Sequence, residues 1–135
     1  MKKLLVFVTI LGLVIAAGAY AKGEKEGHST AGMKSASWTG EILDAGCYVA
    51  HGAMGEKHAE CALKCAANGM PLMLMGKDGK AILLTPNHDN PDPYEQLKKM
   101  AGSSATVTGT LAERGGVKAI DVTAVAAATA PASGK

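Results

Sequence analysis

Three cysteines and two histidines of this 135-residue chain crowd into one short stretch: Cys47, His51, His58, Cys61 and Cys65. They are all the cysteines the chain has. His58, Cys61 and Cys65 lie within Gly55 to Ala67 (GEKHAECALKCAA), an alanine-rich run without a β-branched residue that Asn68-Gly69 would stop. That composition predicts a helix. At 100° per residue, Cys61 sits about 60° from His58 and Cys65 about 20°, so the three share one narrow face. Ala59, Ala62, Leu63 and Ala66 form the adjoining apolar face, and Glu56, Lys57, Glu60 and Lys64 point the opposite way.

Two thiolates one helical turn apart can grip one ion from the same side, and Cys47 and His51 in the preceding loop can close the other side. Three cysteines and one histidine, Cys47, Cys61, Cys65 and His51, make a tetrahedral set for zinc. Soft thiolates with Met54, Met70, Met73 and Met75 nearby would also suit Cu(I). His58 is a spare ligand or an outer partner. Asp44, three residues before Cys47, caps the turn or orients a ligand histidine.

The competing chemistry is a disulfide, because exported cysteines usually pair. Cys47 joined to Cys61 or Cys65 would staple loop to helix and leave one thiol over. Cys61 with Cys65 is disfavoured by the Cβ directions on a single helix. The odd count keeps the metal reading in play. A c-type haem has no Cys-x-x-Cys-His to attach to, and thiol exchange lacks a Cys-x-x-Cys at a helix start. No nucleophile has an evident base: Ser103-Ser104 has no neighbouring histidine, so no enzyme is expected. His28 reads as solvated, and His88, beside Asp89 and Asp92, as loop surface.

The beginning of the chain points to export. Lys2 and Lys3 precede an apolar run from Leu4 to Ala17, and Ala19-Tyr20-Ala21 offers small residues where a signal peptidase reads. The run, broken at Thr9 and Gly12, is shorter than the roughly 20 residues needed to span a bilayer. Residues 1–21 are therefore expected to be a cleaved signal peptide, placing the protein in the periplasm or outside the cell, with no membrane attachment afterwards. Loss of Lys2 and Lys3 from the 14 basic side chains leaves a balance with the 12 acidic ones. No basic stripe remains to follow a phosphate backbone, which excludes nucleic acid as a partner.

The elements that must position the cysteines follow from pattern. Residues 22–37 read as a flexible leader, 126–135 as a frayed small-residue tail, and 38–125 as one domain. Trp38 to Leu43 alternates as a strand, with Trp38 as core anchor. Leu72 to Met75 and Ala81 to Leu84 form a hairpin about Asp78-Gly79. Pro93 opens a short helix running to about Met100. Ala105 to Leu111 and Val117 to Val125 form a second hairpin around Arg114-Gly115-Gly116. The order strand-helix-strand-strand-helix-strand-strand predicts a mainly β, five-stranded OB-like barrel, with the cysteine helix inserted between the first and second strands. An antiparallel α+β sandwich is the alternative.

The chain resembles small secreted bacterial OB-fold-like proteins of unassigned function. The residues that carry the resemblance are Trp38-Thr39-Gly40-Glu41-Ile42-Leu43-Asp44 running into Cys47, Cys61-x3-Cys65, Asn68-Gly69-Met70-Pro71, Asp78-Gly79-Lys80, Ala101-Gly102 and Ala105-Thr106-Val107-Thr108-Gly109-Thr110. The resemblance implies a built site at Asp44, Cys47, His51, Cys61 and Cys65. The expected function is a small exported metal-binding domain, zinc or copper, structural or for metal handling. The alternative is a disulfide-stapled module that binds a small ligand or an envelope protein. Stacking recognition is poorly supplied, since Trp38, Tyr48 and Tyr94 are the only aromatic residues after Ala21.

Overall fold

A computed structural model describes residues 34–128. The expected signal peptide lies outside them, as do most of the leader and the end of the tail. The described chain holds five strands, β1 (Ser35–Asp44), β2 (Leu72–Met75), β3 (Ala81–Pro86), β4 (Ser104–Arg114) and β5 (Val117–Ala127). They close into a barrel in the order β1-β2-β3-β5-β4. Every pairing is antiparallel except β3 with β5, which is parallel. Three α-helices decorate it: α1 (Ala45–His51), α2 (Ala59–Ala67) and α3 (Asp92–Lys98), with a 3-10 turn over Glu56–His58 leading into α2.

Closure depends on strands bending where backbones approach. β1 pairs with β4 from Ser35 to Glu41 and with β2 from Glu41 to Asp44, so it changes partners near Gly40. A Cβ on Gly40 would collide with the Met75 carbonyl. Gly109 lies at the register shift between β4 and β5, and a Cβ there would strike the Asp121 carbonyl. Missing side chains at such crossings and bulges are how a small barrel turns its corners.

One core fills the barrel. Ile42, Leu72, Leu74, Val107, Ile120 and Val122 are among its fully enclosed side chains. Ala62 and Ala66 of α2, and Tyr94 and Leu97 of α3, join the same cluster. Helix α2 packs on β1, and α3 on β3 and β5. The Tyr94 hydroxyl accepts the Leu72 backbone N–H at 3.3 Å, tying α3 to the start of β2.

The helical segment before β2 differs from expectation. The sequence predicts one helix from Gly55 to Ala67, preceded by a loop. The structure has two helices, and Cys47 and His51 stand on the first. Asp44 caps α1, and Gly52, left-handed at φ 66°, ends it by donating to the Cys47 and Tyr48 carbonyls. The expected first turn of α2 is 3-10 instead. The strands also reach further than expected. β1 takes in Ser35 to Ser37 of the presumed leader, where Ser37 Oγ meets Thr108 Oγ1 at 2.7 Å. β5 takes in Ala126 and Ala127 of the presumed tail, paired with Thr106 and Ala105. Cross-strand hydroxyl and backbone pairing outweighs the weak strand character of those residues. No helix among the described residues is long and apolar enough to cross a membrane.

Candidate metal centre

Asp44, the last residue of β1, organises the site. Its carboxylate is fully enclosed, and Oδ1 accepts the Cys47 backbone N–H at 2.8 Å. That bond satisfies one of the orphan donors at the start of α1 and fixes Cys47 in its first turn. Oδ2 meets His58 Nε2 at 3.0 Å, where the chain enters α2. A single buried side chain therefore ties the starts of both cysteine-bearing helices to the barrel.

Backbone contacts complete the frame. The Ala45 N–H donates to the Pro71 carbonyl at 2.8 Å, linking the first residue of α1 to the residue before β2. The Gly55 N–H donates to Glu41 Oε1, which sets the loop before α2. Helix α2 rests on Gly102. A Cβ there would overlap Ala59 Cα, and the Gly102 N–H donates to the Ile42 carbonyl at 2.7 Å. On the other side, the Met70 thioether lies against Gly46, and the Met70 N–H donates to the Cys65 carbonyl at 3.0 Å.

Within this frame the three cysteines converge. The sulfurs of Cys47, Cys61 and Cys65 all lie within 4.8 Å of one another. Cys47 and Cys65 are half-buried and Cys61 is exposed, so the trio is open to solvent on the Cys61 side. All three are free thiols. A second group, Asp44, Cys47 and His58, also has its ligand atoms within 4.8 Å of one another and shares Cys47 with the first. Three cysteines with an aspartate and a histidine are thus close enough to hold a metal ion.

His51, read from sequence as the fourth ligand, belongs to neither group. It is exposed in the last turn of α1, a full turn beyond Cys47. His58, read as a spare, is the histidine brought to Cys47. The signal for this was in the sequence: His58 shares the face of Cys61 and Cys65, whereas His51 depended on an unformed loop. His88 is exposed in the loop before α3, where Asn87 accepts the Asp89 and Asn90 N–H groups.

The local electrostatics hold protons on sulfur. Burial would raise the Asp44 carboxyl, but the hydrogen bonds from the Cys47 N–H, His58 and the Cys47 thiol outweigh it, and Asp44 sits below its usual 3.8. The same carboxylate pushes the Cys47 thiol up to about 12, with burial and Cys65 adding to the effect. Burial also raises Cys65, with Cys61 contributing and the Cys47 hydrogen bond opposing. Thiols held protonated are poor nucleophiles.

The chain matches no family model, no curated protein and no solved structure.

Proposed function

We propose that this protein is a small exported metal-binding domain whose ligands are the thiolates of Cys47, Cys61 and Cys65. The observation that carries the reading is the convergence of the chain's only three cysteines, from two helices, to within 4.8 Å. Cys47 comes from α1 and Cys61 and Cys65 from α2, so the trio is assembled from two separate helices. The Asp44–His58 pair supports the reading, because it fixes the α1 and α2 starts that aim them. The barrel is the rigid base. Its strand order, with β3 parallel to β5, supports an OB-like plan. Lys2, Lys3, the run to Ala17 and Ala19-Tyr20-Ala21 support export to the periplasm or beyond. The ion, zinc or copper, serves structure or metal handling rather than a reaction.

Elemental analysis with a thiol count, on protein purified from the exporting compartment, tests this. About one ion per chain, with three thiols alkylated after chelation, supports the site. Chelation should also lower the Tm, since binding to the folded state alone adds to stability. An unchanged melt with no bound metal removes the reading.

A second reading is a disulfide-stapled module that recruits a small ligand or envelope protein. It is favoured by the approach of the Cys47 and Cys65 sulfurs to within 4.8 Å from different helices. One alkylatable thiol, assigned to Cys61, would select it.

A further inference from the structure

The donor set around the three sulfurs is lopsided. Structural zinc takes four protein ligands in a closed tetrahedron. Among the described residues, no aspartate, glutamate or histidine lies within 4.8 Å of all three thiols together. The nearest oxygen and nitrogen donors are already committed. Asp44 Oδ1 accepts the Cys47 N–H and Oδ2 meets His58 Nε2, so each carboxylate oxygen already has a partner. His58 is thereby held to the Asp44 side of Cys47, and His51 stands exposed at the far end of α1.

Another sulfur stands beside both cysteine-bearing helices. The Met70 thioether rests on Gly46, next to Cys47 in sequence, while its own N–H is bonded to the Cys65 carbonyl. Three sulfurs with no carboxylate or imidazole donor within reach of all three, among the described residues, favour a soft, monovalent ion of low coordination number, whereas structural zinc takes a fourth protein ligand.

We propose that the site is selective for Cu(I), held by the sulfurs of Cys47, Cys61 and Cys65, with the Asp44–His58 pair positioning Cys47 rather than entering the coordination shell. This rests on the metal-binding reading above and adds the identity of the ion and the role of the histidine. Uptake replaces thiol protons by the ion with no change in the oxidation state of either, the protons leaving to solvent on the Cys61 side.

The test uses the chain as exported, reduced and freed of metal without oxygen. Cu(I) is supplied from a chromogenic Cu(I) chelator and Zn(II) from a chromogenic zinc chelator, and X-ray absorption is recorded on each loaded form. The expected result is one Cu(I) per chain with a shell of sulfur only, and Cu(I) displacing bound zinc completely at one equivalent. Substituting serine at Cys47, Cys61 or Cys65 should weaken Cu(I) retention at least 100-fold. A nitrogen ligand in the copper shell, or zinc that resists one equivalent of Cu(I), would overturn this proposal while leaving a metal site in place. Retention of neither ion would overturn it together with the metal-binding reading.

Discussion

His58 Nε2 lies 3.0 Å from Asp44 Oδ2, and the aspartate side chain it meets is wholly enclosed. A buried carboxylate is tolerated only when its lone pairs are satisfied. Here the Cys47 N–H and His58 do so from two different helices. The pair is thus a latch: it joins the end of β1 to both cysteine-bearing segments and sets the distance between them.

Cutting the latch should be costly. Asp44→Ala removes a helix cap and leaves the Cys47 N–H and His58 without their acceptor, a loss of about 3 kcal/mol. Asp44→Asn keeps a capping oxygen and should lose only about 1 kcal/mol. Denaturant unfolding of the metal-free protein measures both. The double variant with His58→Ala should cost less than the sum of the single changes, because the two residues share one interaction. Strict additivity would show that the contact contributes nothing.

The same group sets the acid limit of the metal-free protein. Asp44 is lowered in the fold, so its contribution to stability is present above its ordinary 3.8 and is lost as pH falls through the folded value. Cys47 behaves in the opposite sense. Its thiol is raised from 9.0 to about 12, so its contribution is complete below 9.0 and is lost as pH rises through about 12. Cys65 moves in the same direction as Cys47. The Tm of the reduced, metal-free protein should therefore form a plateau between those limits. Asp44→Asn should flatten the acid flank, and Cys47→Ser the alkaline one, in a melting series across pH.

The strands were legible because their signals are local. Leu72 to Met75 and Ala81 to Leu84 flank Asp78-Gly79, and β2 and β3 form there, with the Gly79 N–H donating to the Gly76 carbonyl. The parallel contact of β3 with β5 was not legible, because it joins Leu83 to Ala119 across α3 and β4 and leaves no mark in either run. Helix α1 was missed for a different reason. Ala45–His51 is seven residues long and includes glycine, tyrosine and valine, none of which favours helix. Its two ends carried the information, Asp44 as cap and Gly52 as stop, and reading them together would have placed Cys47 on a helix. The face shared by His58, Cys61 and Cys65 was legible from the 3.6-residue repeat. That shared face favours His58 over His51, but the contact that holds His58 beside Cys47 was not legible, because it depends on the buried position of Asp44.

Metal uptake should release protons. Cys47 and Cys65 are raised above the ordinary thiol range and carry their protons at neutral pH, so each must give one up to bind a cation. At least two protons should leave per ion, and the apparent affinity should rise at least about 100-fold per pH unit between pH 6 and 8. Calorimetry in buffers of different ionisation enthalpy counts the protons directly. A pH-independent affinity would mean that neither thiol binds the ion.

Gly102 offers a way to disturb the site without touching a ligand. Its φ is 78°, and a Cβ there would overlap the backbone of Ala59, the first residue of α2. Gly102→Ala must therefore strain its own conformation and push back the helix that carries Cys61 and Cys65. The expected cost is about 3 kcal/mol, from the left-handed backbone and the steric overlap together. Gly69 is the control: its φ is 90°, but nothing lies within 4 Å of an added Cβ. Gly69→Ala should cost about 1 kcal/mol, the conformational part alone. Metal retention separates the two further. Gly69→Ala should hold the ion as the unmodified chain does, whereas Gly102→Ala should bind it at least tenfold more weakly even at temperatures where it remains folded. Equal retention in both variants would show that the sulfur trio tolerates movement of α2, and that the packing of Ala59 on Gly102 does not set its geometry.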